Sequence, residues 1–323
     1  MKAIVYHHYG SPGVLKCEEL EKPAAARNEV LIRVRAASVN PLDWHYMRGM
    51  PYLLRVQAGL RNPRVTRLGV DVAGQVEAVG SDVTEFKAGD AVFGSCRGAF
   101  AEYVCAPEAA LVSKPDNVTF EQAASTPVAA FTSLQGLRDK GRIQPGQKVL
   151  INGAAGGVGS FAVQIAKWFG ADVTGVCSTR NLDRVRSLGA DRVIDYTRED
   201  FTRSGQRYDL IFDLIGNRSL LACRRVLNRS GIYAVAGGSS GRWMIGFLAR
   251  TIAALVLSRF VSQNLVMILA KANKEDLTLM HQLLKAGTVT PVIDKRYCLD
   301  EVPEAIRYLE EGHARGKVVI IVD

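Results

Sequence analysis

A chain of 323 residues, 48% hydrophobic and 23% charged, is long and apolar enough for two globular domains and is not the composition of a disordered polypeptide. Its 41 lysines and arginines outnumber 32 acids, and the net charge of +9 favours anionic partners (a phosphorylated cofactor, an acidic substrate, a lipid surface or nucleic acid) without choosing among them. The longest apolar stretch, residues 243–257, is broken by Arg250, so no segment reaches the roughly 18 residues of a membrane span.

The chain starts Met-Lys-Ala-Ile-Val-Tyr, which reads as a strand and not as a signal peptide. Short β-branched or alternating runs at residues 3–6, 29–37, 72–79, 91–93 and 101–105 predict a β-rich first segment, with a short helix after Asn40-Pro41. Helical spacing covers residues 120–140. Strand and helix patterns then alternate: strands at 148–152, 172–177, 192–195, 208–214 and 231–236, helices at 157–169, 181–188 and 219–227. Continuous apolar strands between amphipathic helices predict a doubly wound parallel sheet covered on both faces. A helical stretch after Gly241, a strand at 265–270 and a helix at 274–286 follow. The tail reads strand (288–293), helix (302–312), strand (317–322).

Charge is unevenly placed. Between Leu214 and Lys274 there is no acid, while nine lysines and arginines accumulate, and a second acid-free stretch carries Arg48, Arg55, Arg61, Arg64 and Arg67. Such residues either form a solvated basic face or guide an anionic substrate. The six cysteines (Cys17, Cys96, Cys105, Cys177, Cys223, Cys298) contain no C-x-x-C pair, so reduced thiols and a cytoplasmic location are expected.

The segment Val149-Leu150-Ile151-Asn152-Gly153-Ala154-Ala155-Gly156-Gly157-Val158-Gly159 carries the chemistry. A buried strand runs into a turn of small residues that opens a helix, so Ala155, Gly156, Gly157, Val158 and Gly159 are candidate ligands for a pyrophosphate: their backbone comes close and the helix N-terminus offers N–H groups and a positive dipole end. The loop departs from G-x-G-x-x-G at Ala154, and a tight turn without ligand is the alternative. After the second strand, Cys177-Ser178-Thr179-Arg180 has no carboxylate for a ribose 2′-hydroxyl. Ser178, Thr179 and Arg180 suit a 2′-phosphate instead, which predicts NADPH as cofactor; a hydroxyl there also suits a helix cap, and the two roles are compatible.

On Ala37-Ser38-Val39-Asn40-Pro41-Leu42-Asp43, Gly69-Val70-Asp71-Val72-Ala73-Gly74, Ala88-Gly89-Asp90-Ala91-Val92, Gly98-Ala99-Phe100-Ala101-Glu102-Tyr103 and the loop at 154–159, the whole chain resembles the medium-chain dehydrogenase/reductase superfamily, in its zinc-free quinone oxidoreductase (zeta-crystallin-like) branch. The resemblance implies an α/β protein: a GroES-like β-barrel catalytic domain (residues 1–122, completed by 271–323) and a Rossmann NADP-binding domain (123–270), with the nicotinamide in a cleft between them. It also implies a homodimer, joined around residues 260–270. Zinc-dependent relatives carry cysteine where this chain has Asn40 and a His-Glu pair where it has Val70-Asp71, and an amide and an apolar side chain do not replace thiolate and imidazole, so no zinc is expected.

Without a Lewis acid, a quinone or enone is the expected acceptor, because the incoming charge delocalises. By resemblance Asn40 and Asp43 line the nicotinamide and substrate side, with Asn40 a donor to a developing oxyanion. The enoyl-thioester reductases of the family place a tyrosine proton donor where this chain has Pro51, so Tyr52 is an acid or a pocket wall. Tyr196 is expected near the adenosine phosphate, Ile215-Gly216 and Gly237-Gly238 at the nicotinamide half, and Lys317 closing over the cofactor. The alternatives are a reductase of acyl thioesters or other carbonyl compounds, or a surface binder of lipid or RNA. Residues 243–259 suit peripheral membrane contact or a buried or dimer-facing helix, and a nucleic-acid role is not favoured.

Overall fold

The computed structural model describes residues 1–236 and 263–322, in two compact units: Met1–Val128 with Ala272–Asp323, and Ala129–Lys271. The first limit lies past residue 122 because the next residues still belong to the first unit, where the Val128 amide donates to Asp71 Oδ1 at 3.0 Å.

The first unit begins with strands β1 (Lys2–Val5), β2 (Lys16–Glu19) and β3 (Glu29–Val39), then helices α1 (Pro41–Arg48) and α2 (Leu54–Ala58). Strands β4 (Asp71–Val79), β5 (Ala91–Ser95), β6 (Tyr103–Pro107) and β7 (Leu111–Ser113) follow, then α3 (Phe120–Ala124). The expected helix over 120–140 is interrupted, because Pro127 lacks an N–H and disfavours a helical residue before it. A new helix, α4, runs over Pro127–Gln135 and ends in a π-turn, Gly136–Lys140.

The second unit has β8 (Lys148–Asn152), α5 (Gly157–Trp168), β9 (Asp172–Cys177), α6 (Leu182–Ser187), β10 (Arg192–Asp195), β11 (Tyr208–Asp213), α7 (Leu220–Arg225), β12 (Leu227–Val235) and β13 (Asn264–Met267). Among the described residues its six strands are parallel, in the order β10-β9-β8-β11-β12-β13. Relative to β8 this is 3-2-1-4-5-6, the dinucleotide-binding order, with its switch point between β8 and β11. The strands are buried almost end to end, as a sheet covered on both faces requires.

The tail returns to the first unit. After the helix Lys274–Lys285 come β14 (Ile293–Cys298), the helix Val302–Glu310 and β15 (Lys317–Ile321). The main sheet runs β14-β15-β3-β4-β5-β7, with β6 also paired to β3. Val30, Ile32 and Val34 of β3 form its core with Val72, Val76, Val92, Val104, Ile306, Val318 and Ile320. The strand expected at 288–293 is displaced to Ile293–Cys298. Val289 is buried in the turn that ends the preceding helix, where its amide donates to Leu283 O, whereas the observed strand lies at the sheet edge and tolerates Asp294, Lys295 and Arg296. The expected helix after Gly241, Gly237-Gly238 and residues 243–259 lie outside the described residues.

Candidate functional site

β8 delivers the chain to Gly153, whose φ of 92° a side chain would strain. The amides of Gly153 and Ala154 both donate to Val176 O, at 3.2 and 3.1 Å, and the Gly156 amide donates back to Gly153 O at 3.1 Å. Gly156 caps α5, and the first i→i−4 bond runs from Ser160 N to Gly156 O. The amides of Gly157, Val158 and Gly159 therefore precede that bond and form the positive end of a twelve-residue helix. A Cβ on Gly159 would fall 2.1 Å from Gly153 O and 2.8 Å from Ala154 Cα, so this turn closes only on glycine. At Gly156 the nearest such atom is 3.5 Å away. Ala155 is buried in the turn.

At the end of β9, Ser178 accepts from Asn181 Nδ2 at 3.1 Å and makes no side-chain cap. Thr179 does not cap either: its hydroxyl donates to Asp195 Oδ2 at 2.5 Å and lies 3.1 Å from Thr197 Oγ1. The strand end is thus not without an acid, because β10 supplies Asp195. Its carboxyl is held below the usual carboxylate range by the Thr179 hydroxyl and by Thr197. Arg180 is exposed, and Tyr196 is 47% exposed with its amide bonded to Cys177 O.

At the switch point Asp213 is fully buried. Its Oδ1 accepts from Asn152 Nδ2 (2.8 Å) and from the amides of Ile215 (3.0 Å) and Gly216 (2.8 Å), and its Oδ2 accepts from the Tyr233 hydroxyl. This bracket turns the chain sharply after β11 and leaves the Ile215 side chain 47% exposed.

In the first unit, β3, α1, β4 and β15 converge on a buried polar cluster. Asp71 Oδ2 accepts from Ser38 Oγ (2.8 Å), Asn40 Nδ2 (2.8 Å) and Lys317 Nζ (3.3 Å). Lys317 Nζ also donates to Asn40 Oδ1 at 2.6 Å. Asn40 spends its second amide hydrogen on Ser38 O, so the expected oxyanion donor has none left to give. Lys317, expected over the cofactor, is 4% exposed and belongs to this cluster; burial holds its pKa below the ordinary lysine value, with the Asp71 charge opposing. Asp43 accepts from the amides of Asn40 (2.7 Å) and Gly69 (3.0 Å), which ties the start of α1 to the segment before β4. Burial pushes its carboxyl up to about 7.

A cavity of about 400 Å³ opens beside this cluster within the same unit. Tyr6, Leu42, Asp43, Tyr46, Arg67 and Arg97 are among its lining residues. Tyr52 is not; it lies under the Arg55 guanidinium at 4.9 Å, so the expected acid or wall gives way to Tyr6 and Tyr46. Near them His45 stacks on Trp44 and its Nδ1 lies 2.8 Å from Met50 O, and burial lowers its pKa.

Two family models match, "Alcohol dehydrogenase GroES-like domain" over residues 26–116 and "Zinc-binding dehydrogenase" over residues 188–320. The chain is 35% identical to the 2-methylene-furan-3-one reductase of Solanum lycopersicum, covering 99% of this chain and 79% of that protein. It is 35% identical to the chloroplastic NADPH-dependent alkenal/one oxidoreductase of Arabidopsis thaliana, with the same coverage. The structure of the quinone oxidoreductase from Coxiella burnetii superposes with a TM-score of 0.85 at 32% identity, over 100% of this chain and 99% of that one. The chain belongs to the medium-chain dehydrogenase/reductase superfamily, in its quinone oxidoreductase branch. Its architecture is the superfamily's GroES-like domain plus a Rossmann-type parallel sheet.

Several residues of the site escaped sequence reasoning. Asp71 was weighed only as a missing zinc ligand, and nothing local joins it to Lys317, 246 positions away. Asp195 had a signal, since an acid closing the third strand of such a sheet lies beside the end of the second, where Asp195 pairs in register with Cys177. Arg97 stood outside the acid-free stretch and drew no attention.

Proposed function

We propose that this chain is an NADPH-dependent oxidoreductase that reduces quinones or α,β-unsaturated carbonyl compounds without a metal. The observation that carries this reading is the turn at residues 153–159: a cradle that only glycine closes, set at a helix N-terminus beside the switch point of a 3-2-1-4-5-6 sheet. The names of the relatives, NADPH-dependent and active on alkenals, furanones or quinones, support it.

The amides of Gly157, Val158 and Gly159 would hold the pyrophosphate, with Ala155 and Gly156 giving the backbone its close approach. Ser178 and Arg180 would take the 2′-phosphate, whereas the Thr179 hydroxyl is already committed to Asp195. The exposed faces of Tyr196 and Ile215 suit the adenosine and nicotinamide halves. When bound, the cofactor supplies a hydride and leaves as NADP⁺. The acceptor takes that hydride and one proton, so a quinone becomes a hydroquinone and an enone a saturated ketone. Asp43 lines the cavity with a carboxyl raised by burial to about 7, so it takes up and releases a proton around neutral pH.

Zinc does not fit. Asn40 and Val70-Asp71 offer one amide oxygen and one carboxylate, and both already face the Lys317 ammonium. A metal ion would have to displace a buried cation hydrogen-bonded to both groups. A homodimer joined at the sheet edge belongs to the same reading. β13 ends the strand order among the described residues, and Leu269 just beyond it is 76% exposed.

The test is NADPH oxidation followed against a quinone, an alkenal, an enone and an enoyl thioester, repeated with NADH and with a chelator. Turnover of quinone and enone, faster with NADPH and indifferent to chelation, is expected. No affinity for either dinucleotide, or activity lost to the chelator and restored by zinc, overturns the reading.

A further inference from the structure

Five arginines of the first unit, Arg48, Arg55, Arg64, Arg67 and Arg97, fall into two groups. Arg48 is spent in a two-pronged ion pair with Glu310. Arg55 donates to the carbonyls of Gly49 (2.9 Å) and Arg48 (3.3 Å) and lies over the rings of Tyr9 and Tyr52. Arg64, Arg67 and Arg97 all line the cavity, and among the described residues no carboxylate pairs with any of them. The one acid in the lining, Asp43, has both oxygens committed to the backbone amides of Asn40 and Gly69 and makes no ion pair with them.

This cationic wall is held in place by its backbone. Thr66 O accepts from the Tyr6 amide at 2.9 Å, Arg67 bridges to Val5, Gly69 N donates to Asp43, and Gly98 N donates to Gly69 O at 3.0 Å. Arg67 lies across Gly98, where φ is 84° and an added Cβ would fall 3.3 Å from Arg67 Nε. Aliphatic side chains share this wall: Leu42 and Val65 line the same cavity and are 40% and 43% exposed. A solvated face accounts for single exposed arginines. It does not account for three converging on a concave surface beside bare aliphatic side chains, an arrangement that matches a ligand with an apolar body and an anionic end.

We propose that this cavity selects acceptors bearing an anionic tail, so that the reducible carbonyl compound is an amphipathic acid held by Arg64, Arg67 and Arg97. The proposal rests on the oxidoreductase reading and narrows its substrate class. Carboxylate and phosphate ester share the required chemistry, and the test separates them.

Four acceptors are compared at low ionic strength: a nine-carbon methyl-ketone enone, its analogues ending in carboxylate or phosphate monoester in place of the terminal methyl, and the methyl ester of the carboxylate. A preference of about tenfold or more in kcat/KM for an anionic analogue over the ester is expected, as for one charge-assisted contact, and it should shrink with added salt. Whichever anion gains more identifies the source. In Arg67→Gln and Arg97→Gln the anion-to-ester ratio falls toward one, and in Arg64→Glu it falls further. A wild-type ratio within twofold of one, or a ratio that none of these substitutions moves, overturns the proposal. Calorimetric titration of the intact protein with the saturated keto acid keeps the two readings apart. If no acceptor is reduced but the keto acid binds and Arg67→Gln abolishes binding, the oxidoreductase reading fails and the anion site stands. No binding overturns the anion site.

Discussion

Lys317 Nζ lies 2.6 Å from Asn40 Oδ1, joining the last strand of the chain to the residue that starts its first helix across 277 positions. With Asp71 at 3.3 Å, the same ammonium compensates a carboxylate that is wholly buried. The cluster pins β15 to β3 and β4 and commits both amide hydrogens and the amide oxygen of Asn40.

Lys317→Met removes the cation and leaves Asp71 charged and buried. Breaking such a pair costs about 3–5 kcal/mol, and urea unfolding should register a loss of that order. A lysine that merely closed over the cofactor would behave differently, weakening NADPH at an unchanged unfolding midpoint.

Two of the four glycines of the phosphate turn, Gly156 and Gly159, should separate cleanly. Gly159→Ala puts a methyl 2.1 Å from a carbonyl oxygen, so the turn must open. Overpacking of this kind costs about 1–3 kcal/mol, and NADPH affinity, read by fluorescence titration, should fall more than tenfold. Gly156→Ala meets nothing closer than 3.5 Å at a φ of −78°, and its unfolding midpoint should stay near that of the wild type.

How far the sequence reaches can be judged from these same residues. Strands at 148–152, 172–177 and 192–195 were legible to the residue, because apolar runs punctuated by glycine or aspartate have one reading in an alternating chain. The small-residue turn that ends at Gly159 was legible for the same reason: strand, turn and helix are contiguous. β2, with the exposed run Lys-Cys-Glu-Glu, and β14, at a sheet edge, carry no hydrophobic pattern to find. Asn40 and Lys317 each read, in a single sequence, as contacts to a partner outside the protein, because nothing local shows that they satisfy one another across 277 positions.

Asp43 makes stability depend on pH in a defined direction. Its carboxyl rises from 3.8 to about 7 on burial, so between those values the folded chain holds a proton that the unfolded chain releases. Its contribution is complete below about pH 4 and is lost as pH rises through 7, at most about 4 kcal/mol in all. Asp71, Lys317, Tyr6 and Cys96 face the group and modulate the midpoint without reversing the sign. Asp43→Asn does not titrate, so the unfolding free energy of wild type minus variant should decline from pH 4 to pH 8. A flat difference would mean that Asp43 keeps an ordinary carboxylate pKa.

The proposed NADPH preference predicts a selective role for Arg180. Thr179 is committed to Asp195, whose carboxyl is held in its ionised form beside the end of β9, so a 2′-phosphate arriving there meets a negative charge. The neighbouring Arg198, 3.5 Å from Asp195 Oδ2, offsets that charge in part, and Arg180 at the same strand end is an exposed cation suited to the phosphate. Arg180→Ala should therefore weaken NADPH by about tenfold, the worth of one charge-assisted contact of about 1.4 kcal/mol, and leave NADH nearly unchanged. Dissociation constants for both dinucleotides, measured at two salt concentrations, decide the matter. Equal losses for the two would place Arg180 at the pyrophosphate or in the fold and remove the basis for NADP selectivity, whereas a selective loss that fades with salt assigns it to the 2′-phosphate.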